Sequence, residues 1–428
     1  MMPRPKSARE AAAYPSQRAP CRALRTHWRA LLLAFAMQVG CNPTVSRSHP
    51  PPALLPRAHP TPLASTTPLA TVADHTLDQA DETVQVLPAI IDRPLRVAAG
   101  IRVAVDASIH VVKGGRLTLE PGAVLAFRGG TGLDVEGGEL QAHGTQDDPI
   151  VFTAKITPPR PGYWHGILFT GPDHALDRTG LPTSHLEHVV IEYGGADRGC
   201  DPQCPQGGLV VDYRYLLNAW KTGVRESFGT SVAIRHVALR HNAITGLRIH
   251  DSDYVSELID VTFGPNDGVS ANVDPDLVEA LGTDVPESVV VSGITDRSVT
   301  FRKLPKPYIF AHVDIVALKR PVTITIEDGA IVTFPENAAL TVDGQVAAAK
   351  LIAHHVTFTF ASKQPVPGSW AGLGFYNWAF ADLEDDIFEY TGRPPSGMPA
   401  SAAIYIGCDE SRAHTARCIF RRLPGPAI

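Results

Sequence analysis

The sequence contains the same strand-like block twice, and this duplication constrains the fold more than any other feature. The first copy, LTLEPGAVLAF, covers 117–127, and the second, ITIEDGAIVTF, covers 324–334. Four further pairs of blocks recur in the same order: LDVEG and LTVDG, IVFTA and VTFTF, WHGILF and WAGLGF, LEHVVIEYGG and LEDDIFEYTG. Five blocks in one order indicate a tandem duplication, so the fold must accommodate both copies.

Each block has the pattern of a short β-strand. Leu117 and Leu119 alternate with polar residues, and the turn dipeptide Pro121-Gly122 follows them. This alternation, with glycine every few residues, predicts strands that are buried on one face. Strands this short and this numerous suit a sandwich, a barrel or a solenoid.

The motif order of the first copy resembles the right-handed parallel β-helix repeat proteins of the pectate-lyase-like fold class. The residues that carry the resemblance are VKGGRLTLEPGAVLAF from Val112, then GLDVEGGELQAHGT, DPIVFTA, WHGILF and LEHVVIEYGG. The resemblance covers 95–249 well and 308–428 less well. It implies an all-β, duplicated right-handed parallel β-helix. It implies no particular activity, because one fold hosts many functions.

The start of the chain has the features of an export signal. An arginine-rich leader precedes ALLLAFAMQV at 30–39, which is shorter than the about 20 apolar residues that span a bilayer. Gly40-Cys41 follows and resembles the bacterial lipobox, which implies lipidation of Cys41 and an exported protein at the outer membrane or cell surface. A plain secretory signal, or a start codon elsewhere, are the alternatives.

Composition and repeats divide the chain into five segments. Because 42–91 is rich in Pro, Ser and Thr, it cannot bury a core and is predicted to be a tether. The segments are a signal peptide with lipobox at 1–41, the tether at 42–91, a first β-helix module at 92–252, a connector of weaker pattern at 253–307, and a second module at 308–428. One continuous stack is possible, but the restart of the early motif favours two linked modules.

The spacing of the blocks also predicts a register. Leu119 should stack near Val135, and Ile326 near Val342, in a coil of about 16 residues, slightly short of the usual solenoid repeat. Neighbouring strands would then be about 4.8 Å apart.

Four cysteines lie beyond the leader in two close pairs. Cys200 with Cys204, and Cys408 with Cys418, are predicted to form local disulfides in an exported protein. The alternative, a zinc site, needs further ligands that the surrounding sequence does not supply at the usual spacing.

The glycine-rich segment 194–208 is predicted to project from the stack, where binding residues usually lie. Aromatic and acidic residues flank it, and they are the candidate ligand-binding set for a glycan or a surface protein. The set is Tyr193, Asp212, Tyr213, Tyr215 and Trp220.

Two glutamates, Glu192 and Glu389, are the weak catalytic candidates. Each is repeated with its whole block, and glycoside hydrolysis needs two carboxylates at a fixed separation. Repetition equally fits a role in the fold. Trp164 and Trp370 also recur, and corner or core packing explains them better than a sugar-stacking platform does. Asn242 is expected to join a ladder of turn asparagines.

Charge excludes one class of partner. The net charge is −6, so the chain has no basic footprint for nucleic acid. Cofactors are not expected, although calcium would suit the oxygen ligands of Asp251, Asp253, Asp260 and Asp267. The sequence therefore predicts an exported, lipid-anchored surface protein that binds a glycan or a protein and has no evident catalytic set. The alternative is a polysaccharide lyase or glycoside hydrolase.

Overall fold

The computed structural model describes residues 86–170, 183–199, 205–212, 231–250, 252–392, 402–407 and 410–424. These residues form strands joined by turns, with two short 3-10 helices. Every pairing between these strands is parallel, from the first coil to the last. The predicted all-β parallel β-helix is therefore confirmed. Within the same residues, no helix is long and apolar enough to cross a bilayer.

The elements have the following bounds. The strands are β1 (Ile90–Ile91), β2 (Pro94–Val97), β3 (Arg102–Val105), β4 (Ile109–Val112), β5 (Arg116–Leu119), β6 (Val124–Phe127), β7 (Leu133–Glu136), β8 (Glu139–His143), β9 (Ile150–Ala154), β10 (Ile167–Thr170), β11 (Thr183–Glu192), β12 (Leu209–Asp212), β13 (Ser231–Arg240), β14 (Ala243–His250), β15 (Val255–Ile259), β16 (Thr262–Phe263), β17 (Asp267–Val273), β18 (Val289–Thr295), β19 (Val299–Phe301), β20 (Tyr308–Val316), β21 (Val322–Ile326), β22 (Ile331–Phe334), β23 (Ala339–His354), β24 (Thr357–Phe360), β25 (Gly372–Glu384), β26 (Ile387–Glu389), β27 (Ile404–Ile406), β28 (Arg412–Ala416) and β29 (Ile419–Arg421). The 3-10 helices are η1 (Ser252–Tyr254) and η2 (Pro275–Leu281).

Each early coil contributes three strands to three separate ladders. β4 pairs with β7, β5 pairs with β8, and β6 pairs with β9. Val111 is in register with Val135, so this coil takes 135 − 111 = 24 residues. Inward residues of successive coils therefore stack on one another and fill a continuous apolar core.

The predicted register is wrong. Leu119 pairs with Ala142 rather than with Val135, and Ile326 pairs with Ala353. The reason is that Pro121-Gly122 turns the chain onto a new face, so β5 and β6 belong to different ladders. A full coil of 24 residues therefore contains three strands, whereas the predicted coil of about 16 residues had room for only two.

The two copies lie in one continuous stack. A parallel ladder runs from β4 through β7, β10, β12, β14, β17, β18, β20, β22, β24 and β26 to β29. The segment 253–307, predicted to be a connector, supplies β17 and β18 to this ladder, and these pair with β14 and β20. The preference for two separate modules is therefore wrong. The weak pattern there reflects η2, which packs against β15, β18 and β19.

The second copy is rotated by one face relative to the first. β6 and β22 are equivalent in sequence, but β6 pairs with β3 and β9 in one sheet. β22 pairs instead with β20, in the sheet that also contains β7. The same sequence block therefore lies on different faces of the β-helix in the two copies.

Repeated tryptophans close the core in both copies. Trp164 stacks on Phe127 with ring centroids 4.2 Å apart, and Trp370 stacks on Phe334 at 3.9 Å. Both indoles are fully buried, so the packing interpretation is confirmed. The asparagine ladder is confirmed as well, since the buried Asn242 amide donates to Asn266 Oδ1 at 3.3 Å.

Candidate functional sites on equivalent faces of the two copies

The candidate catalytic residue Glu192 is buried and bridges three coils. Its Oε1 accepts a hydrogen bond from Thr153 Oγ1 at 2.8 Å, and its Oε2 accepts one from Arg240 Nε at 2.9 Å. The three residues lie on β9, β11 and β13, which pair in that order. Both carboxylate oxygens are therefore engaged within the stack.

Glu389 makes the same arrangement in the second copy. Thr359 Oγ1 donates to its Oε2 at 3.0 Å, and Arg421 Nε donates to its Oε1 at 2.6 Å. A tryptophan indole also donates to the backbone oxygen of each glutamate, both at 2.8 Å. Because the whole Thr–Glu–Arg set is repeated with its partners, this geometry favours a structural role over catalysis for both acids.

The described part of the predicted binding loop lies against the stack instead of projecting from it. Ala196 N donates to Trp164 O at 2.9 Å, and the almost fully buried Arg198 side chain donates to Asp134 Oδ1 at 2.6 Å. The expectation of a projecting segment is therefore wrong for 194–199. An ion pair with an outward carboxylate holds this segment down.

The predicted ligand-binding residues have different outcomes. Tyr193 is buried at a corner, where its ring stacks on His241 at 5.4 Å. Asp212 is buried and faces Arg248, with 3.6 Å between the charged atoms. The structure therefore assigns these two to packing and ion pairing. Tyr213, Tyr215 and Trp220 lie outside the described residues.

The predicted cysteine pairing is not formed at the position that can be described. Cys418 is a free thiol, with its sulfur 3.6 Å from the backbone oxygens of Leu383 and Ala416. Burial raises the pKa of this thiol. Cys200, Cys204 and Cys408 lie outside the described residues, as does the candidate lipidation site Cys41.

The first copy has a polar cluster on the outward face of β4 and β7. His110 Nδ1 is 3.0 Å from Glu136 Oε1 and 3.6 Å from Asp134 Oδ2. The hydrogen bond with Glu136 raises the pKa of His110, although burial opposes this change. Burial, with the positive charge of Arg198, lowers the pKa of the neighbouring His165.

This cluster is the one group of His, Asp and Glu side chains in the described part of the chain whose donor atoms all lie within 4.8 Å of one another. Its geometry could in principle hold a metal ion. Arg198 already engages Asp134, however, and His110 Nδ1 already pairs with Glu136. The arrangement is better described as an ion-pair network. Of the aspartates considered for calcium, Asp260 faces His236 at 3.1 Å.

The same face of the second copy can be identified from the ladders. Ile109 pairs with Leu133 in the first copy as Val313 pairs with Leu340 in the second. The next two strands of this ladder, β10 and β12 in the first copy and β25 and β27 in the second, continue the same correspondence in register. By this correspondence, His110 matches Asp314, Glu136 matches Asp343, Thr170 matches Tyr376, and Val210 matches Tyr405.

In the second copy this face carries two tyrosines on successive coils. The rings of Tyr376 and Tyr405 have centroids 5.8 Å apart. The Tyr376 ring lies flat over the sheet because two outward positions are glycine: a Cβ on Gly374 or Gly407 would come within 2.9 Å or 2.5 Å of it. Burial is the main cause that raises the pKa of Tyr376, with smaller contributions from its neighbour Tyr405 and from nearby carboxylates.

Carboxylates and amides border the two rings. Asp343 accepts hydrogen bonds from the amides of Asn377 and Gln345, the second at 3.1 Å. Burial raises the pKa of Asp343 despite these bonds. Asp314 Oδ2 lies 3.2 Å from His312 Nε2. We call the surface formed by Asp314, Asp343, Tyr376, Asn377 and Tyr405 the tyrosine face.

An exposed apolar ridge runs along one corner beside the tyrosine face. Its side chains come from three successive coils and remain 42%, 62% and 45% exposed: Leu318, Val346 and Trp378. Trp378 directly follows Asn377 of the tyrosine face, and Val346 N donates to Ala317 O at 3.1 Å, next to Leu318. Exposed apolar side chains beside a polar surface are typical of an interaction site.

The two equivalent faces differ in accessibility. In the first copy, outward Leu168, Thr170 and Val210 are fully or almost fully buried, and Arg198 covers Asp134. In the second copy, Tyr376 and Tyr405 are partly exposed. The tyrosine face is therefore the more accessible of the two.

Comparison with known proteins gives one result at the level of the domain. Residues 91–201 match the family model of the pectate-lyase-like β-helix domain. With the parallel ladders, this match defines the class of protein: a parallel β-helix that contains a domain of the pectate-lyase-like kind. Neither the curated proteins nor the solved structures gave a match.

Proposed function

We propose that this chain is an exported, lipid-anchored β-helix protein that binds a polysaccharide on the tyrosine face. The observation that carries the proposal is the pair of partly exposed tyrosines, with ring centroids 5.8 Å apart, beside carboxylate and amide groups. A β-helix domain of the pectate-lyase-like kind, which is associated with extracellular carbohydrate-related proteins, supports it.

The chemistry of the tyrosine face suits a sugar. Tyrosine presents an apolar ring with a polar tip, and such rings pack against the C–H faces of pyranose rings. Asp343, Asp314 and Asn377 supply hydrogen-bond acceptors and donors for hydroxyl groups. A small number of placed polar groups around apolar surface is the usual composition of a ligand site.

The location of the binding surface therefore moves from the one predicted by sequence. Segment 194–199 packs on the stack, so we place the site on the second copy. The predicted contribution of Tyr213, Tyr215 and Trp220 remains a further proposal, as do lipidation at Cys41 and residence at the outer membrane or cell surface. The competing proposal is that a surface protein, rather than a polysaccharide, binds the tyrosine face.

Binding of the full-length protein, purified in detergent, to a broad glycan array tests the proposal. We expect binding that Tyr405→Ala weakens about tenfold, the usual effect of removing a central aromatic contact. Glu136→Gln is the matched control, because it changes the position in the first copy that corresponds to Asp343. Absence of glycan binding, or binding that Tyr405→Ala leaves intact, would refute the proposed site.

The alternative function, a polysaccharide lyase or hydrolase, has one observation in its favour. Burial raises the pKa of Asp343, which is the change that suits a carboxyl group for proton transfer near neutral pH. Release of reducing ends or unsaturated products from polysaccharides, with and without calcium, measures this activity. Turnover that Asp343→Asn abolishes would establish the enzyme, whereas binding without turnover supports the binding protein.

A further inference from the structure

We infer that the tyrosine face selects an extended polysaccharide that carries no anionic groups. This inference rests on the proposed function and specifies the class of ligand. It follows from the charges on the face and from the way the face is built along the stack.

The outward positions of four strands define the charge of the face. The inward residues Val313, Leu340, Leu373 and Ile404 belong to the core, so the alternate residues point outward. These outward residues are His312 and Asp314 on β20, Thr341 and Asp343 on β23, Gly374 and Tyr376 on β25, and Tyr405 and Gly407 at β27. Two are carboxylates and none is lysine or arginine.

The first copy shows how the same fold neutralises acids on this face. There, Asp134 is paired with Arg198 and Glu136 with His110. In the second copy, Asp314 has a histidine partner, His312 at 3.2 Å, but Asp343 is held by the neutral amides of Asn377 and Gln345. The amides orient the carboxylate without cancelling its charge. A uronate or sulfate group arriving at this face would meet like charge, which costs binding free energy.

The geometry also indicates the length of the ligand. Asp314, Thr341, Gly374 and Tyr405 form one in-register row across four successive coils. With about 4.8 Å between neighbouring strands, the row is about 14 Å long. Because Tyr376 and Tyr405 come from adjacent coils, a ligand that contacts both rings runs along the stack. An oligosaccharide can follow the whole row of about 14 Å, whereas a single sugar covers only part of it.

Three hexasaccharides of matched length test the inference with the full-length protein: cellohexaose, which is neutral, glucosamine hexamer, which is cationic, and hexagalacturonate, which is anionic. We expect the neutral or the cationic oligomer to bind at least tenfold more tightly than the anionic one in calorimetry at low salt. The difference should shrink at high salt, because screening weakens interactions between exposed charges. Asp343→Asn should narrow the difference, and the control Glu136→Gln should leave it unchanged.

The outcomes separate the two proposals. If hexagalacturonate binds as tightly as the others, and Tyr405→Ala removes that binding, the proposed function stands and the inference about charge is wrong. If none of the three hexasaccharides binds, a glycan identified on the array is used in their place. If that glycan is anionic, the inference about charge is wrong. If no glycan binds, both proposals fall. Thermal unfolding of each variant confirms that lost binding does not reflect lost structure.

Discussion

Asp386 is a fully buried carboxyl group between β25 and β26, at the position where the first copy has Val189. Its Oδ1 accepts a hydrogen bond from Val356 N at 2.8 Å, but its Oδ2 is buried without a hydrogen-bond partner. Burial raises the pKa of Asp386 to about 7. We predict that Asp386→Asn, which keeps an acceptor for the Val356 amide, stabilises the protein above neutral pH.

The sign and size of the effect follow from linkage. Folding favours the protonated form of a carboxyl group whose pKa is higher in the folded state than in the unfolded state. The stability that protonated Asp386 contributes is fully present below the unfolded pKa of 3.8 and is lost as the pH rises through the folded pKa of about 7. At about 1.4 kcal/mol per pH unit, a shift of about three units gives an upper limit of about 4 kcal/mol. Penetration of water into the coil reduces the expected effect to about 2–3 kcal/mol.

The assay is urea denaturation of wild type and Asp386→Asn at pH 5 and pH 8. The difference in free energy of unfolding between Asp386→Asn and wild type should increase by about 2 kcal/mol or slightly less from pH 5 to pH 8, because most of the titration of Asp386 lies between these pH values. Asp106→Asn is the control: its carboxylate is exposed and pairs with Lys155 rather than with a histidine, so its effect should be the same at pH 5 and pH 8. A difference for Asp386→Asn that is independent of pH would contradict the reasoning.

Three further outcomes are expected. Glu192→Gln should lower the free energy of unfolding by about 2–4 kcal/mol, since it removes a fully buried carboxylate that pairs with the partly buried Arg240. The control Glu187→Gln, at a partly exposed site, should change the free energy of unfolding by less than about 0.5 kcal/mol. Equal effects of the two substitutions in urea denaturation would argue against a structural role. Trp370→Phe should cost about 1–2 kcal/mol through loss of the indole hydrogen bond to Glu389 O, and an unchanged unfolding midpoint would contradict this. Cys41→Ser should release the protein from the membrane fraction, and a fatty-acid probe that fails to label wild type would refute the anchor.

The sequence was sufficient for the class of fold but not for the register. Alternation of apolar and polar residues is a local property, and it identified β5 and β7 correctly as strands with inward leucine and valine. Which strands pair depends on how many residues complete a coil, and that is set by turns such as Pro121-Gly122. One unrecognised change of face moved the partner of Leu119 from Val135 to Ala142.

The candidate site was harder to predict because its residues are distant in sequence. Repetition identified Glu192 as important but did not show its role, since Thr153 and Arg240 are 39 and 48 residues away. Tyr376 and Tyr405 gave no motif. What distinguishes them is that each tyrosine points outward at a position where the first copy has Thr170 or Val210. Recognising this correspondence requires the register of the parallel ladders.

The two copies keep the inward tryptophans with their partners but differ in the outward residues of the tyrosine face, and the physics of a solenoid explains the difference. An inward substitution changes packing against the coils on both sides and costs about 1–5 kcal/mol, so Trp164 and Trp370 retain both their ring partner and their hydrogen bond. An outward substitution usually costs less than about 0.5 kcal/mol, which leaves that face free to change. In the first copy Arg198 pairs with Asp134 on this face, and in the second copy the face presents two tyrosines. A difference between the copies on this accessible face, where substitution costs little stability, is what the proposed ligand site on the second copy requires.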